Sequence, residues 1–182
     1  CVTSIVYSGV GFTNTTALNW NSQYQLTEVF TNGGLVEANA YDALGRRVFC
    51  SSRTAGGSFE TNYMVYDGVH VLAEVDSTGG LKRAYTHGPG VDNWLAMTVY
   101  TGATVRTYYY LTDVQGTVHA VADETGTIVE SYKFDAWGRV LGVYNGSGTE
   151  LTESAIGNRI LWQGREYSWK TGLYFFRARW YD

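Results

Sequence analysis

The sequence has one proline, Pro89, and no apolar run approaching the roughly 18 to 20 residues that a membrane helix needs, so no membrane span is expected. Charge is sparse too, at 16% of residues against 45% hydrophobic, which excludes a disordered acidic or basic tail and leaves a chain able to bury a core. The net charge of −4 gives no general pull toward nucleic acid or anionic lipid, so no nucleic-acid partner is expected. Lysine is scarce: three lysines stand beside ten arginines. Arginine forks onto carboxylates and stacks on rings better than lysine, which points to internal pairing.

Two cysteines, Cys1 and Cys50, permit one disulfide. It would close a loop of about fifty residues and stabilise by ~4 kcal/mol on chain-entropy grounds. Free thiols are the alternative, as is Cys1 as the processed start of a lipoprotein. There is no Cys-x-x-Cys, His-Glu-x-x-His or Gly-x-Ser-x-Gly, so no metal, cofactor or esterase chemistry is expected. "GVGF" at 9 to 12 is not a phosphate loop, because no lysine and helix follow it. With neither an initiator methionine nor a charged-then-apolar leader, the chain reads as a processed product or an excised piece.

Abundant instead are glycine (22), tyrosine (15) and tryptophan (6), without enrichment in helix formers. Aromatics with glycine suit strands joined by tight turns, so the expected class is all-β. One phrase is written twice: "YDALGRR" at 41 to 47 and "FDAWGRV" at 134 to 140, ninety-three positions apart (134 minus 41). A repeated phrase implies a repeated structural job. Asp followed three residues later by Gly occurs at Asp42/Gly45, Asp76/Gly79, Asp113/Gly116, Asp123/Gly126 and Asp135/Gly138, and Asn145/Gly148 is the same pattern. Such pairs suit a type I turn with a left-handed residue, the Asp accepting turn N–H groups and the Gly tolerating positive φ. From Asp113 these turns recur every ten or twelve residues, as in a meander of antiparallel strands.

Runs rich in β-branched and aromatic residues lie between the turns, among them 23–30, 35–41, 61–66, 69–75, 81–88, 106–112, 117–122, 127–134 and 139–144. In 127–134 Ile128, Tyr132 and Phe134 share a face that Glu130 interrupts. The expectation is ten to twelve strands and no helix longer than about two turns. Segments 1–18, 51–60, 89–104 and 145–158 read as irregular connections, the last as a mobile loop.

"YDALGRR", "YMVYDGVHVLAEVDSTGGLKRAYTHGPGVD", "YYYLTDVQGTVHAVADETGTIVESYKFDAWGRVLG" and "GREYSWKTGLYFFRARWYD" closely resemble the Rhs, or tyrosine-aspartate (YD) repeat, family. The last two blocks are similar to its repeat-associated core region, and the resemblance runs from about Trp20 to Asp182. It implies a strip of β-hairpins, part of a hollow β-shell, which in bacterial toxin members encloses a toxic domain. Related repeats form the shells of toxin-complex components and of the adhesive teneurins. Many members cleave themselves through acidic residues of a following segment. Those have no counterparts here, so the resemblance implies no protease activity, although Arg177 and Arg179 match the family's "RARYYD" phrase.

The expected organisation is an unassigned segment 1–18 and one continuous YD-repeat region 19–182. The three histidines, His70, His87 and His119, fall in separate hairpins and read as sheet or loop residues. His87 with nearby Asp92 invites acid/base chemistry, against a rigid loop around Pro89. Glu74/Asp76 and Asp123/Glu124 invite glycosidase or calcium chemistry, but Asp76 and Asp123 already open turns. The aromatic tail with Arg177 and Arg179 invites ring stacking, against internal packing. The resulting expectation is a non-enzymatic scaffold, secreted or at the cell surface. Its partners would be neighbouring repeats or further copies of itself, with an enclosed toxin domain or surface glycans beyond. The alternative is an extracellular self-assembling or adhesive protein.

Overall fold

The computed structural model describes residues 3–9, 12–54 and 56–182, with the side chains of residues 7–9, 12 and 13 left aside. The chain is all-β. Its first half supplies β1 (Ser4–Gly9), β2 (Phe12–Trp20), β3 (Leu26–Thr31), β4 (Gly34–Tyr41), β5 (Arg47–Arg53), β6 (Phe59–Asp67) and β7 (His70–Val75). There follow β8 (Leu81–His87), β9 (Trp94–Thr101), β10 (Thr104–Thr112), β11 (Val118–Ala122), β12 (Ile128–Phe134), β13 (Val140–Asn145) and the two-residue β14 (Glu150–Leu151). These fourteen form one antiparallel sheet in strict sequence order, open at β1 and at β14. Three further short strands, β15 (Glu166–Tyr167), β16 (Tyr174–Phe175) and β17 (Trp180–Tyr181), pair in a second sheet.

One turn is reused throughout. Oδ1 of Asp42, Asp76, Asp113, Asp123, Asp135 and Asn145 accepts the backbone N–H groups two and four residues on, at 2.8 to 3.1 Å. The glycine at the fourth position (Gly45, Gly79, Gly116, Gly126, Gly138 and Gly148) donates its N–H to the first residue's carbonyl. Those glycines have φ between +79° and +91°, a region that costs a side-chain-bearing residue energy. Asn21 makes the same turn with Gln23 and Gln25, and there Tyr24 takes the glycine's place at φ +61°.

The segment 158–181 lies across one face of the large sheet as a strap. Leu161 and Tyr174 enter a core with Tyr85, Met97, Tyr108, Tyr110, Val121, Tyr132 and Val143. Leu173 enters a second cluster with Leu18, Leu26 and Val29, against which Trp180 packs. The strap thus supplies the second layer over the sheet's buried face.

Several sequence expectations need correction. There are seventeen strands among the described residues, not ten to twelve, because threonine- and asparagine-rich stretches also enter the ladder: β1 and most of β2 lie within 1–18, and β9 lies within 89–104. Gly116 and Gly126 follow the central turn residues Val114-Gln115 and Glu124-Thr125 as the left-handed residue, at φ +81° and +83°, but their surroundings differ. Gly126 borders open space, whereas Gly116 lies against the strap: a Cβ on it would come within 3.8 Å of the backbone of Gln163 and Gly164.

The segment 145–158 is not a free loop. Glu130 accepts Ser154 Oγ at 2.7 Å and the N–H groups of Ala155 and Ile156 at 2.6 and 3.1 Å. Glu130 therefore does not interrupt the inner face of β12. It lies buried on that face beside Tyr132, whereas Ile128 is exposed. Cys1 lies outside the described residues. Cys50 is a buried thiol that meets Ser52 Oγ at 3.5 Å, and burial pushes its pKa up to about 11.

Candidate functional site

The strap is fastened by a seam of buried charges. Glu74, on the inner face of β7, accepts Arg159 Nη2 at 2.5 Å, Arg83 Nη1 at 3.0 Å and the Tyr85 hydroxyl at 2.6 Å. Arg159 continues to Glu166 at 3.2 Å, and Glu166 also pairs with Arg47. Ser168 Oγ donates to Glu37, which also accepts from Asn39. Burial raises the Glu74 pKa, but Arg159, Arg83 and the Tyr85 hydroxyl outweigh it and bring the net value down to about 2. Buried ion pairs of this kind fix geometry more than they add stability, because desolvation offsets much of the Coulomb gain. The seam lines a cavity of about 150 Å³ toward which Arg47, Asn62, Arg83 and Arg159 turn. It holds the strap in place, with every carboxylate engaged.

A larger cleft of about 370 Å³ opens at the sheet rim beside the strap. His87 sits 4.8 Å from His70 and 4.4 Å from Trp94, ring to ring, and its Nε2 bonds the Val71 carbonyl at 2.8 Å. Asp92, at φ +61°, is not the partner of His87. Arg165 and Arg177 grip it at 2.8 and 2.5 Å. Trp94 Nε1 donates to the Gly164 carbonyl, tying the cleft wall to the strap. His119 stands apart, 3.2 Å from Asp113. The described residues include no group of three or more His, Cys, Asp and Glu arranged for a metal, and no helix long and apolar enough to cross a membrane.

The two rims of the meander differ. Alternate turns fall at opposite ends of the strands, and on the cleft rim each turn tip shows an apolar side chain: Tyr24, Leu44, Val69, Val91, Val114 and Trp137. Leu44 and Trp137 are 78% and 75% exposed. The opposite rim carries Asn32-Gly33, Ser77-Thr78, Glu124-Thr125 and Gly146-Ser147. The repeated heptapeptides supply two of the apolar tips. Their aromatics reach sideways: the Tyr41 hydroxyl donates to the Leu26 carbonyl on β3, and Phe134 packs edge-on against His119.

Sequence reasoning flagged Glu74 for glycosidase or calcium chemistry and passed over Arg83, Arg159, Glu166 and Glu37. The one available signal was a charge at an inward position of an alternating strand, as with Glu74 in "VHVLAEV". Among the described residues Arg177 and Arg179 do not stack on rings. Arg177 pairs with Asp92, and it is Arg47 and Arg165 that lie over Phe175, Trp180 and Phe176.

No protein-family model matches the chain. It is 32% identical over 167 residues to the tRNA nuclease WapA of Bacillus subtilis (strain 168), spanning 90% of this chain and 6% of that protein. It is 27% identical over 194 residues to the double-stranded DNA deaminase toxin A of Burkholderia cenocepacia (strain H111), spanning 94% of this chain and 13% of that one. Among solved structures, TcdB2-TccC3 superposes with a TM-score of 0.66 at 19% identity over 92% of this chain and 8% of that chain. The Photorhabdus luminescens Tc holotoxin pore gives 0.64 at the same identity and coverage. At those identities the likeness shows the fold: an Rhs-like β-sheet of the kind found in Tc toxins. Two expectations give way. The relatives are named as nucleases and as a deaminase toxin, so the expectation of a non-enzymatic protein is overturned and the exclusion of nucleic acid loses its support.

Proposed function

We propose that the chain is a stretch of the wall of a YD-repeat shell, within a larger toxin protein whose activity is enzymatic and directed at nucleic acid. The names of the relatives supply the toxin and its target class, and the small share of those proteins that the chain spans makes it one part of such an assembly. The observation that carries the reading is the open, sequentially ordered fourteen-strand sheet with one face lined by the strap. A sheet with two open edges is a tile that further strands continue. Residues 19–182 form its YD-repeat unit, and β1 with the first part of β2 extends the same sheet. Delivery outside the producing cell follows, as secreted or surface-bound protein. The test removes residues 158–181 from the longer gene product and follows protease digestion of its toxic region. Protection should be lost with the strap, and undiminished protection contradicts the reading.

The apolar-tipped rim favours a second reading in addition, contact with a protein neighbour or another copy of the chain, since exposed apolar side chains aligned along one rim mark an interaction surface. Replacing Leu44, Val114 and Trp137 by serine should abolish that contact in a pull-down between differently tagged copies. Unchanged capture would reject it.

A further inference from the structure

The rim cleft has the build of a ligand site that the shell reading does not use. At about 370 Å³ it falls in the size range of small-ligand pockets. Its lining includes the apolar residues Leu44, Val69, Trp94, Phe175 and Ala178. Charge in the lining is out of balance. Arg165 and Arg177 share a single carboxylate, Asp92, at 2.8 and 2.5 Å. Glu166, the other acid at the cleft, is already held by Arg47 and Arg159. Arg46 is taken by Asp42 at 2.7 Å. Among the described residues, one guanidinium charge of the Arg165/Arg177 pair is therefore left without an anion, and Arg165 Nε is buried with no hydrogen-bond partner. Burial holds the Arg165 pKa below its ordinary value and Arg177 adds to that, Asp92 only partly opposing them. In the neutral ring His87 Nε2 carries the proton that bonds the Val71 carbonyl, and Nδ1 is buried with no hydrogen-bond partner among the described residues.

We propose that this cleft binds an apolar carboxylate: an aromatic or aliphatic body against Leu44, Val69 and Trp94, with its carboxylate on the Arg165/Arg177 pair. A free aromatic acid and a peptide with an acidic residue beside an aromatic one both have this chemistry. The inference does not depend on the shell reading, because it concerns only the local cleft.

Calorimetric titration of the chain tests it with two probes, 3-phenylpropionate for the free acid and acetyl-Phe-Asp-Leu-amide for the peptide. Their neutral counterparts, 3-phenylpropanol and acetyl-Phe-Asn-Leu-amide, are the controls. Binding by either acid, at least about tenfold tighter than its control, is expected, and the tighter of the two identifies the source. Arg177→Gln leaves Arg165 to hold Asp92 and should lose that tenfold preference. The paired change Leu44→Ala with Val69→Ala, both at exposed tips that the fold does not need, should weaken both acids severalfold. Failure of both acids to bind at millimolar concentration, or equal binding of acid and neutral control, overturns the proposal. So does binding indifferent to Arg177→Gln.

Discussion

At the scale of residues, the turn glycines respond differently to a side chain. A Cβ at Gly79 or Gly126 would meet nothing within 4 Å, and one at Gly116 would make only ordinary contacts, the nearest 3.7 Å from the Asp92 carbonyl oxygen. One at Gly138 would lie 2.3 Å from Trp162 Cδ2 in the strap. Alanine at Gly79, Gly116 or Gly126 should therefore cost about 1 kcal/mol, the backbone penalty alone, and Gly138→Ala about 3 kcal/mol or more, because strain and a clash add. Chemical denaturation of the four variants checks the order. Tyr24 gives the converse case, a bulky residue at φ +61° where its counterparts are glycine, and Tyr24→Gly should stabilise by about 1 kcal/mol in the same assay. Glu74 sets an acid limit. Its pKa is about 2 when folded against an ordinary 4.5, so the folded state binds fewer protons. Its contribution is complete above about pH 4.5 and is lost as pH falls toward 2. Glu74→Gln should flatten the stability profile across that window in pH-dependent melts, and an unchanged slope would show that the seam does not govern acid unfolding.

At the scale of elements, the hairpins were legible and the strap was not. Asp-x-x-Gly spacing located the turns at Asp42, Asp76, Asp113, Asp123 and Asp135 because side chain and backbone there act within five residues. The turn at Asn21 escaped because Tyr24 breaks the glycine pattern. The seam escaped for a different reason. Glu74 and Arg159 are 85 residues apart, and no local period reports a contact of that range. The Arg-for-Lys bias gave the class of interaction without its members. The region 145–158 misled because a polar, glycine-containing stretch looks solvated, while its order comes from Glu130 on a neighbouring strand. Hydrogen exchange should show the N–H groups of Ala155 and Ile156 protected. Glu130→Ala should release that protection, and equally fast exchange in the unaltered chain would refute the clamp.

At the scale of the whole molecule, the central claim is that the sheet is an open strip made to be continued. The two edges differ. β14 is only two residues long and chain continues from it into the strap, whereas β1 offers six residues of edge. On β1 the backbone pattern selects a probe. The Leu18 N–H bonds the Thr3 carbonyl, which makes Ser4↔Ala17 and Val6↔Thr15 non-hydrogen-bonded pairs, so the Val6 N–H points away from β2 to the free edge. Proline at position 6 removes a donor from that edge and none from the β1–β2 ladder. The decisive measurement is sedimentation velocity of the chain and of Val6→Pro, over roughly a hundredfold range of concentration. The open-strip account predicts reversible association that grows with concentration in the unaltered chain and is suppressed in Val6→Pro. A monomer throughout in the unaltered chain, or association indifferent to the proline, would contradict it.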